Sequence, residues 1–220
     1  MSPAPHRLAA PRLKANDRRR QLIEAAMDLF SRKGFAGTTT KEIALAAGVS
    51  EAIIFRHFRT KRDLYTAIIE HNMHSAGARQ VLAGIEACMK LRDDEGLFRL
   101  IAREMIEGHR QDARFEKLMM HASLEGHELA TIYRSEFGLP IFASLRAYLN
   151  RRQRSGALRH IDAGAMIVAI AGMAHYYAMN VENSDLNGLC LNDEQMVEAF
   201  TRIVMDGIRP PAARHGKKSK

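Results

Sequence analysis

Residues 39–58 read TTKEIALAAGVSEAIIFRHF, and this stretch decides the fold. Thr39 is placed to cap a helix, and Glu42 three residues on supplies the reciprocal partner of a capping box. Ile43, Ala44 and Ala47 follow at helical spacing as a buried face. Gly48 permits a sharp turn, because positive φ costs glycine little, and Val49 plugs the corner. Ser50 is placed to cap a second short helix, whose Ile54 and Phe58 face the same small core. Two short amphipathic helices joined by a tight turn are the arrangement that lays a helix in the major groove of DNA.

Working outward, residues 1–15 hold three prolines and form an irregular arm. A helix begins near Asn16, with Ile23, Ala26, Met27 and Phe30 as its apolar stripe. Arg32 and Lys33 suit its C-terminus, Gly34 a left-handed cap, and Phe35 turns inward. Beyond Phe58, Thr60 and Asp63 form a second capping pair, and Leu64, Ile68 and Ile69 continue the core. Helices are expected near 78–91, 95–108, 113–136, 140–154, 162–182 and 192–208. The clearest breaks are Gly138-Leu139-Pro140 and Ser155-Gly156. With 12 Met, 6 Pro and no long period-2 alternation, the chain reads as all-α. The expected organisation is a flexible basic arm (1–15) and an N-terminal three-helix helix-turn-helix domain (16–76). A helical C-terminal domain (77–209) and a disordered basic tail (210–220) follow.

Charge separates the same regions. Residues 1–75 carry 13 Lys and Arg against 7 Asp and Glu, residues 76–209 carry 16 against 18, and residues 210–220 carry 4 against none. A basic first third suits phosphate backbones, or is simply a solvated face. Cys88 and Cys190 match no zinc or redox spacing and read as reduced core residues. The N-terminus lacks the apolar core of a signal peptide, so a cytoplasmic protein is expected. The 17 residues from Ala163 to Met179 are apolar but Ala/Gly-rich and interrupted by His175. They read as a helix buried on all sides rather than a membrane span.

In order along the chain stand Ala25-Ala26-x-x-Leu29-Phe30, Gly34-Phe35, Thr38-Thr39-Thr40, Ile43-Ala44-x-x-Ala47-Gly48-Val49-Ser50 and Phe55-x-His57-Phe58-x-x-Lys61, with Leu64 beyond. On these residues the span from Arg18 to Ile69 resembles the N-terminal domain of the TetR family of bacterial transcription regulators. The resemblance covers about a quarter of the chain; beyond it the chain matches only in helicity and length. It implies a homodimeric DNA-binding regulator, a repressor released from a palindromic operator by a small molecule. Dimerisation would run through the last long helices.

The second helix of the motif is the groove-facing one. Glu51 and Ala52 are its candidate base-edge contacts: a glutamate can accept from cytosine N4, and an alanine can touch a thymine methyl. A second role fits Glu51 equally, that of complementing the helix N-terminus. Arg56 projects from the same helix toward guanine or phosphate. The resemblance assigns backbone contacts to Thr39, Thr40, His57 and Lys61, and Lys41 and Ser50 are further DNA-binding candidates; a packed histidine is the other reading of His57. Phe55 departs from the family, where a tyrosine hydroxyl reaches a phosphate, and Ala52-Ile53 replaces a common Gly-Thr type pair. Arg7, Arg12, Lys14, Arg18, Arg19 and Arg20 suit a minor-groove arm or plain electrostatic attraction.

In the C-terminal half, Met73, Leu82, Ile85 and Met105 are candidate effector contacts, together with Met119, Met120, His121 and Tyr133; methionine suits permissive pockets and ordinary cores alike. Ala165, Ala169 and Gly172 are candidates for a dimer seam, joined by Met196, Phe200 and Ile203. Two helices per subunit would give a four-helix bundle; the other reading is intramolecular core. His71 and His74 lie three apart, but no acidic or thiol partner is fixed by spacing, and no metal is expected. No GxSxG elbow, phosphate loop, HExxH or dinucleotide fingerprint is present. The chain is therefore read as no enzyme, without cofactor. The rival readings are a DNA-dependent interaction module and a helical enzyme with an incidental helix-turn-helix.

Overall fold

A computed structural model describes residues 14–180 and 192–210, and among these residues there is no strand. The first four helices are α1 (Ala15–Lys33), α2 (Thr40–Ala46), α3 (Glu51–His57) and α4 (Lys61–Met73). They are followed by α5 (Ala76–Leu91), α6 (Asp94–Asp112), α7 (Arg114–Leu124) and α8 (Glu128–Tyr133), then a π-helical turn at Arg134–Gly138. α9 (Leu139–Arg154), α10 (Ala163–Asn180) and α11 (Asp193–Ile208) complete the described chain. Arg7, Arg12, Cys190 and the tail from residue 211 lie outside the described residues.

Two apolar cores form. The first gathers Leu22, Ile23 and Phe30 of α1, Ile43 of α2, Ile54 of α3 and Leu64, Tyr65 and Ile68 of α4, all at 0–1% exposure. Phe30 and Tyr65 meet edge to face with centroids 4.9 Å apart, a geometry that adds to their burial. This core is completed from far along the chain: Leu118 and Ala122 of α7 and Ala130 of α8 belong to it. The Tyr65 hydroxyl donates to the Leu118 carbonyl at 3.2 Å. The second core is built by α5, α6, α9, α10 and α11 around Leu97, Phe98, Ala102, Ile106 and Ile170, each fully buried.

Asp94 is 7% exposed at the start of α6. Arg152 of α9 grips it through two guanidinium nitrogens at 2.8–2.9 Å, and the Tyr148 hydroxyl donates to it at 2.5 Å. A buried carboxylate persists only when so satisfied. Burial and the Asp94 carboxylate push the Tyr148 phenol up from its ordinary value.

Four expectations fail locally. The helix expected over 113–136 is split, because Gly126 takes φ 63° and α7 ends at Leu124. The break expected at Gly138-Leu139-Pro140 is absent. The Leu139 N–H reaches back to the Arg134 carbonyl across the π turn, and Pro140 falls in the first turn of α9, where a missing N–H goes unnoticed. Helix α10 is not buried on all sides: Ala165, Val168, Ala169, Gly172 and Tyr176 form an exposed face, Val168 at 63% and Tyr176 at 64%. Gly34 has the positive φ expected of it, 69°, but with ψ 177°, outside the left-handed helical region.

Candidate nucleic-acid interface and adjoining cavity

The interface begins with a rigid start to α2. The Thr39 hydroxyl accepts from the Glu42 N–H at 3.2 Å, and the Glu42 carboxylate accepts from the Thr39 N–H at 2.8 Å. Lys33 adds an ion pair to Glu42 at 2.7 Å. The Lys33 bond first, then the Thr39 backbone and hydroxyl, hold the Glu42 carboxyl down to about 2. At the turn Gly48 takes φ 64°, and the Gln21 amide donates to the Ala47 carbonyl at 3.0 Å. That bond ties the corner of the motif to α1.

Helix α3 buries Ile54 completely, and Phe58 at its C-cap is 4% exposed. With that face inside, Glu51, Ala52, Phe55 and Arg56 are exposed on the opposite one, as the 3.6-residue period requires. Phe55 stands 47% exposed, an apolar surface at the height where the resemblance would place a hydroxyl. Ser50 occupies the N-cap position in extended conformation, yet its side chain makes no capping bond. Its hydroxyl is exposed beside that helix start.

The two helices are also joined by side chains, since the Thr40 hydroxyl donates to the Glu51 carboxylate. Glu51 is thus oriented by α2, a partner that sequence spacing did not reveal. Lys41 is exposed on α2. His57 is half-buried, and burial first, then Arg56, Arg19 and Arg18, hold its imidazole below the ordinary value. Arg19 lies over the Phe58 ring at 5.0 Å, and Arg18 donates to Gln21 at 2.6 Å. Lys61 turns inward instead of outward. Its ammonium donates to the Phe35 carbonyl and lies 4.1 Å from the Phe35 ring centroid. Burial lowers its pKa.

Behind this head lies a cavity of two adjoining lobes, each about 450 Å³, which share Glu116, Met119, Tyr133 and His175 as a common wall. Met73 and Met105 line one lobe and Met120 the other. Five of the expected contacts therefore come together, and three do not. Ile85 belongs to the second core, His121 sits beside the Gly34 turn, and Leu82 of α5 is on neither wall.

Sequence reading missed the polar centre. Glu116 of α7 is bridged by His109 of α6, at 2.5 Å, and by His175 of α10. His175, the polar exception in an apolar run, was the available signal. His71 and His74 diverge: His74 bonds the Glu70 carbonyl at 3.0 Å, and His71 faces Glu24 at 3.9 Å. Among the described residues no group of three or more His, Cys, Asp or Glu is placed to hold a metal, and no helix is long and apolar enough to cross a membrane.

The residues expected at a dimer seam divide. Ala165, Ala169 and Gly172 of α10 and Ile203 of α11 are exposed, Ile203 at 61%. Met196 and Phe200 are instead buried, 8% and 9% exposed, in the subunit's own core. The buried face of α11 runs through Val197, Thr201, Val204 and Ile208; Met196 and Phe200 lie along its edge and Ile203 falls just beyond that edge.

Residues 22–68 match the profile of the bacterial regulatory proteins of the tetR family. The HTH-type transcriptional regulator RutR of Escherichia coli K12 is 29% identical over 88% of this chain and 91% of its own. Among solved structures, AibR in complex with isovaleryl coenzyme A and operator DNA superposes with a TM-score of 0.64 at 20% identity, covering 84% of this chain and 97% of that one. The TetR family regulator PfmR of Thermus thermophilus gives 0.61 at 19% identity, covering 84% and 97%. At such identities the structural likeness speaks for the fold alone.

Proposed function

This chain belongs to the TetR family of DNA-binding transcriptional regulators, a family without enzymatic activity, and from that premise we propose a homodimeric repressor released from a palindromic operator by a small molecule in the cavity. The observation that carries the proposal is the double duty of α7. Leu118 and Ala122 on one side complete the core of the DNA-reading head, while Glu116, Met119 and Met120 on the other wall the cavity. A ligand that moves this helix moves the head with it. Arg114 at the start of α7 reinforces the link, bonding Asp112 of α6 at 2.6 Å and Glu24 of α1 at 3.0 Å.

Within the reading, α3 enters the major groove with Glu51 and Ala52 at base edges and Phe55 against the groove wall. Thr39, Thr40, Lys41, Ser50, Arg56 and His57 meet phosphate. The exposed faces of α10 and α11 pair across a two-fold axis, with Ala165, Ala169 and Gly172 allowing close approach. The effector favours a dimer whose reading helices no longer fit half-sites about 34 Å apart. A regulator of this kind works in the cytoplasm, where its operator lies.

Selection of bound sites from random DNA tests the proposal. An imperfect palindrome is expected, and recovery of unrelated sequences overturns it. Ala169→Arg, on the exposed face of α10, should give a monomer in sedimentation and abolish operator binding; a dimer that persists removes α10 from the seam.

A further inference from the structure

The lobe lined by Met73, Met105 and Phe115 carries an unequal set of charges. Glu104, Asp112 and Glu116 stand on its wall, and among the described residues no lysine or arginine does. Two of these carboxylates are already engaged: Asp112 by Arg114 at 2.6 Å, Glu116 by His109 and His175. Glu104 has no ion pair among the described residues. Its charged neighbours, Glu107 and Arg103, are on its own helix, and burial followed by Glu107 raises its carboxyl above the ordinary value. A half-buried carboxylate beside methionines, without a cation, is costly until one arrives. The guanidinium that the described residues bring to the cavity wall, that of Arg134, belongs to the other lobe. An anionic ligand placed beside Glu104 would set like charges together.

We propose that the effector is an apolar organic cation, an amine or amidine on an aryl or alkyl body, with its charge at Glu104 and its body among Met73, Met105, Phe115 and Met119. The inference rests on the cavity being the effector site. It separates this chain from AibR, whose solved complex holds the anionic isovaleryl coenzyme A. The volume of one lobe, about 450 Å³, falls within the range of ligand pockets, roughly 300–1,000 Å³. Methionine and aromatic walls suit a flat cationic body.

The experiment titrates the full-length protein with three probes of one body: naphthylethylamine, naphthylethanol and naphthaleneacetate. The chain has no tryptophan, so naphthalene fluorescence reads binding directly. The amine should bind about tenfold more tightly than the alcohol, and the acetate most weakly. Glu104→Gln should bring the amine to the level of the alcohol without moving the alcohol, and Glu104→Asp should restore part of the preference. Gly108→Leu should exclude all three probes, because Gly108 lines this lobe and a side chain there meets no other atom within 4 Å; far-UV circular dichroism verifies each variant's helicity. Acetate binding as tight as the amine, or a preference that survives Glu104→Gln, overturns the charge assignment while leaving the cavity reading intact. Failure of all three probes to bind, or binding indifferent to Gly108→Leu, overturns both.

Discussion

The head and the body of this protein bury their apolar faces by different means. In the head, α2 and α4 start on reciprocal local pairs, Thr39 with Glu42 and Thr60 with Asp63. Its turn depends on one glycine at φ 64°. In the body, α11 also starts on a capping box, Asn192 with Gln195, but the helices are aligned by bonds between residues far apart in sequence: Asp94 with Arg152, Arg110 with Asp193 at 3.2 Å, and Arg99 with Glu198 at 2.8 Å. Local pairs make a segment's conformation nearly independent of its surroundings. Distant pairs make the alignment of the body's helices depend on which surfaces meet, which suits the ligand response proposed for it. The head lacks one wall of its own and takes it from α7, so the two regions differ in how they are specified without being independent.

The largest expected effect is in the body. Asp94→Ala strands the Arg152 guanidinium beside Tyr148 and should cost about 3–5 kcal/mol in urea unfolding. Ile54→Ala, at the centre of the head, should cost about 2–5 kcal/mol. Because α7 completes the head's core and its Glu116 is tied to His109 of α6 and His175 of α10, each variant should still unfold in one transition followed by circular dichroism. A separate early transition for Ile54→Ala would show that the head stands apart from the body.

Within the head, Glu51→Ala should relax one base position of the selected operator at a cost of about 1–3 kcal/mol in discrimination. An unchanged selection profile would return Glu51 to the role of helix-end charge tied to Thr40. Thr39→Ala should cost about 1 kcal/mol through the lost cap, with a particular pH dependence. The Glu42 carboxyl sits at about 2 against an ordinary 4.5, so its contribution is present above the ordinary value and disappears as pH falls toward 2. Thermal melts of the variant should therefore show a shallower acid decline than wild type; parallel curves would remove Thr39 from that link.

The smallest effect concerns Lys61. With its ammonium on the Phe35 carbonyl, Lys61→Met should lower stability modestly and leave the salt slope of DNA binding unchanged. A slope reduced by about 1 would place the side chain on a phosphate instead.

How much of this was legible follows the same division. The motif at 39–58 could be read because its signals are local: a capping box, a positive-φ glycine and an apolar period of 3.6 residues act within a few residues of each other. The Ser50 cap was misjudged because several residue types suit an N-cap position and only geometry tells whether the hydroxyl is used. The long helix expected over 113–136 failed at Gly126, which a helix tolerates or terminates according to what its neighbours bury. Five of the eight proposed cavity residues line the space, but Glu116, His109 and His175 went unseen as a unit, since they come from three helices. Met196 and Phe200 were apolar enough for either a seam or a core.

From sequence alone came the helical class, the turn at Gly48, the face that α3 turns inward and the family. These depend on the backbone's own preferences and on side chains within one or two turns. Tertiary structure alone decided that α7 closes the head's core while walling the cavity, that Thr40 orients Glu51, that Lys61 turns inward, and that Glu104 faces the cavity without a cation among the described residues. Each of those facts is a contact between segments distant along the chain, where burial and charge depend on which surfaces meet, and no local pattern encodes that choice.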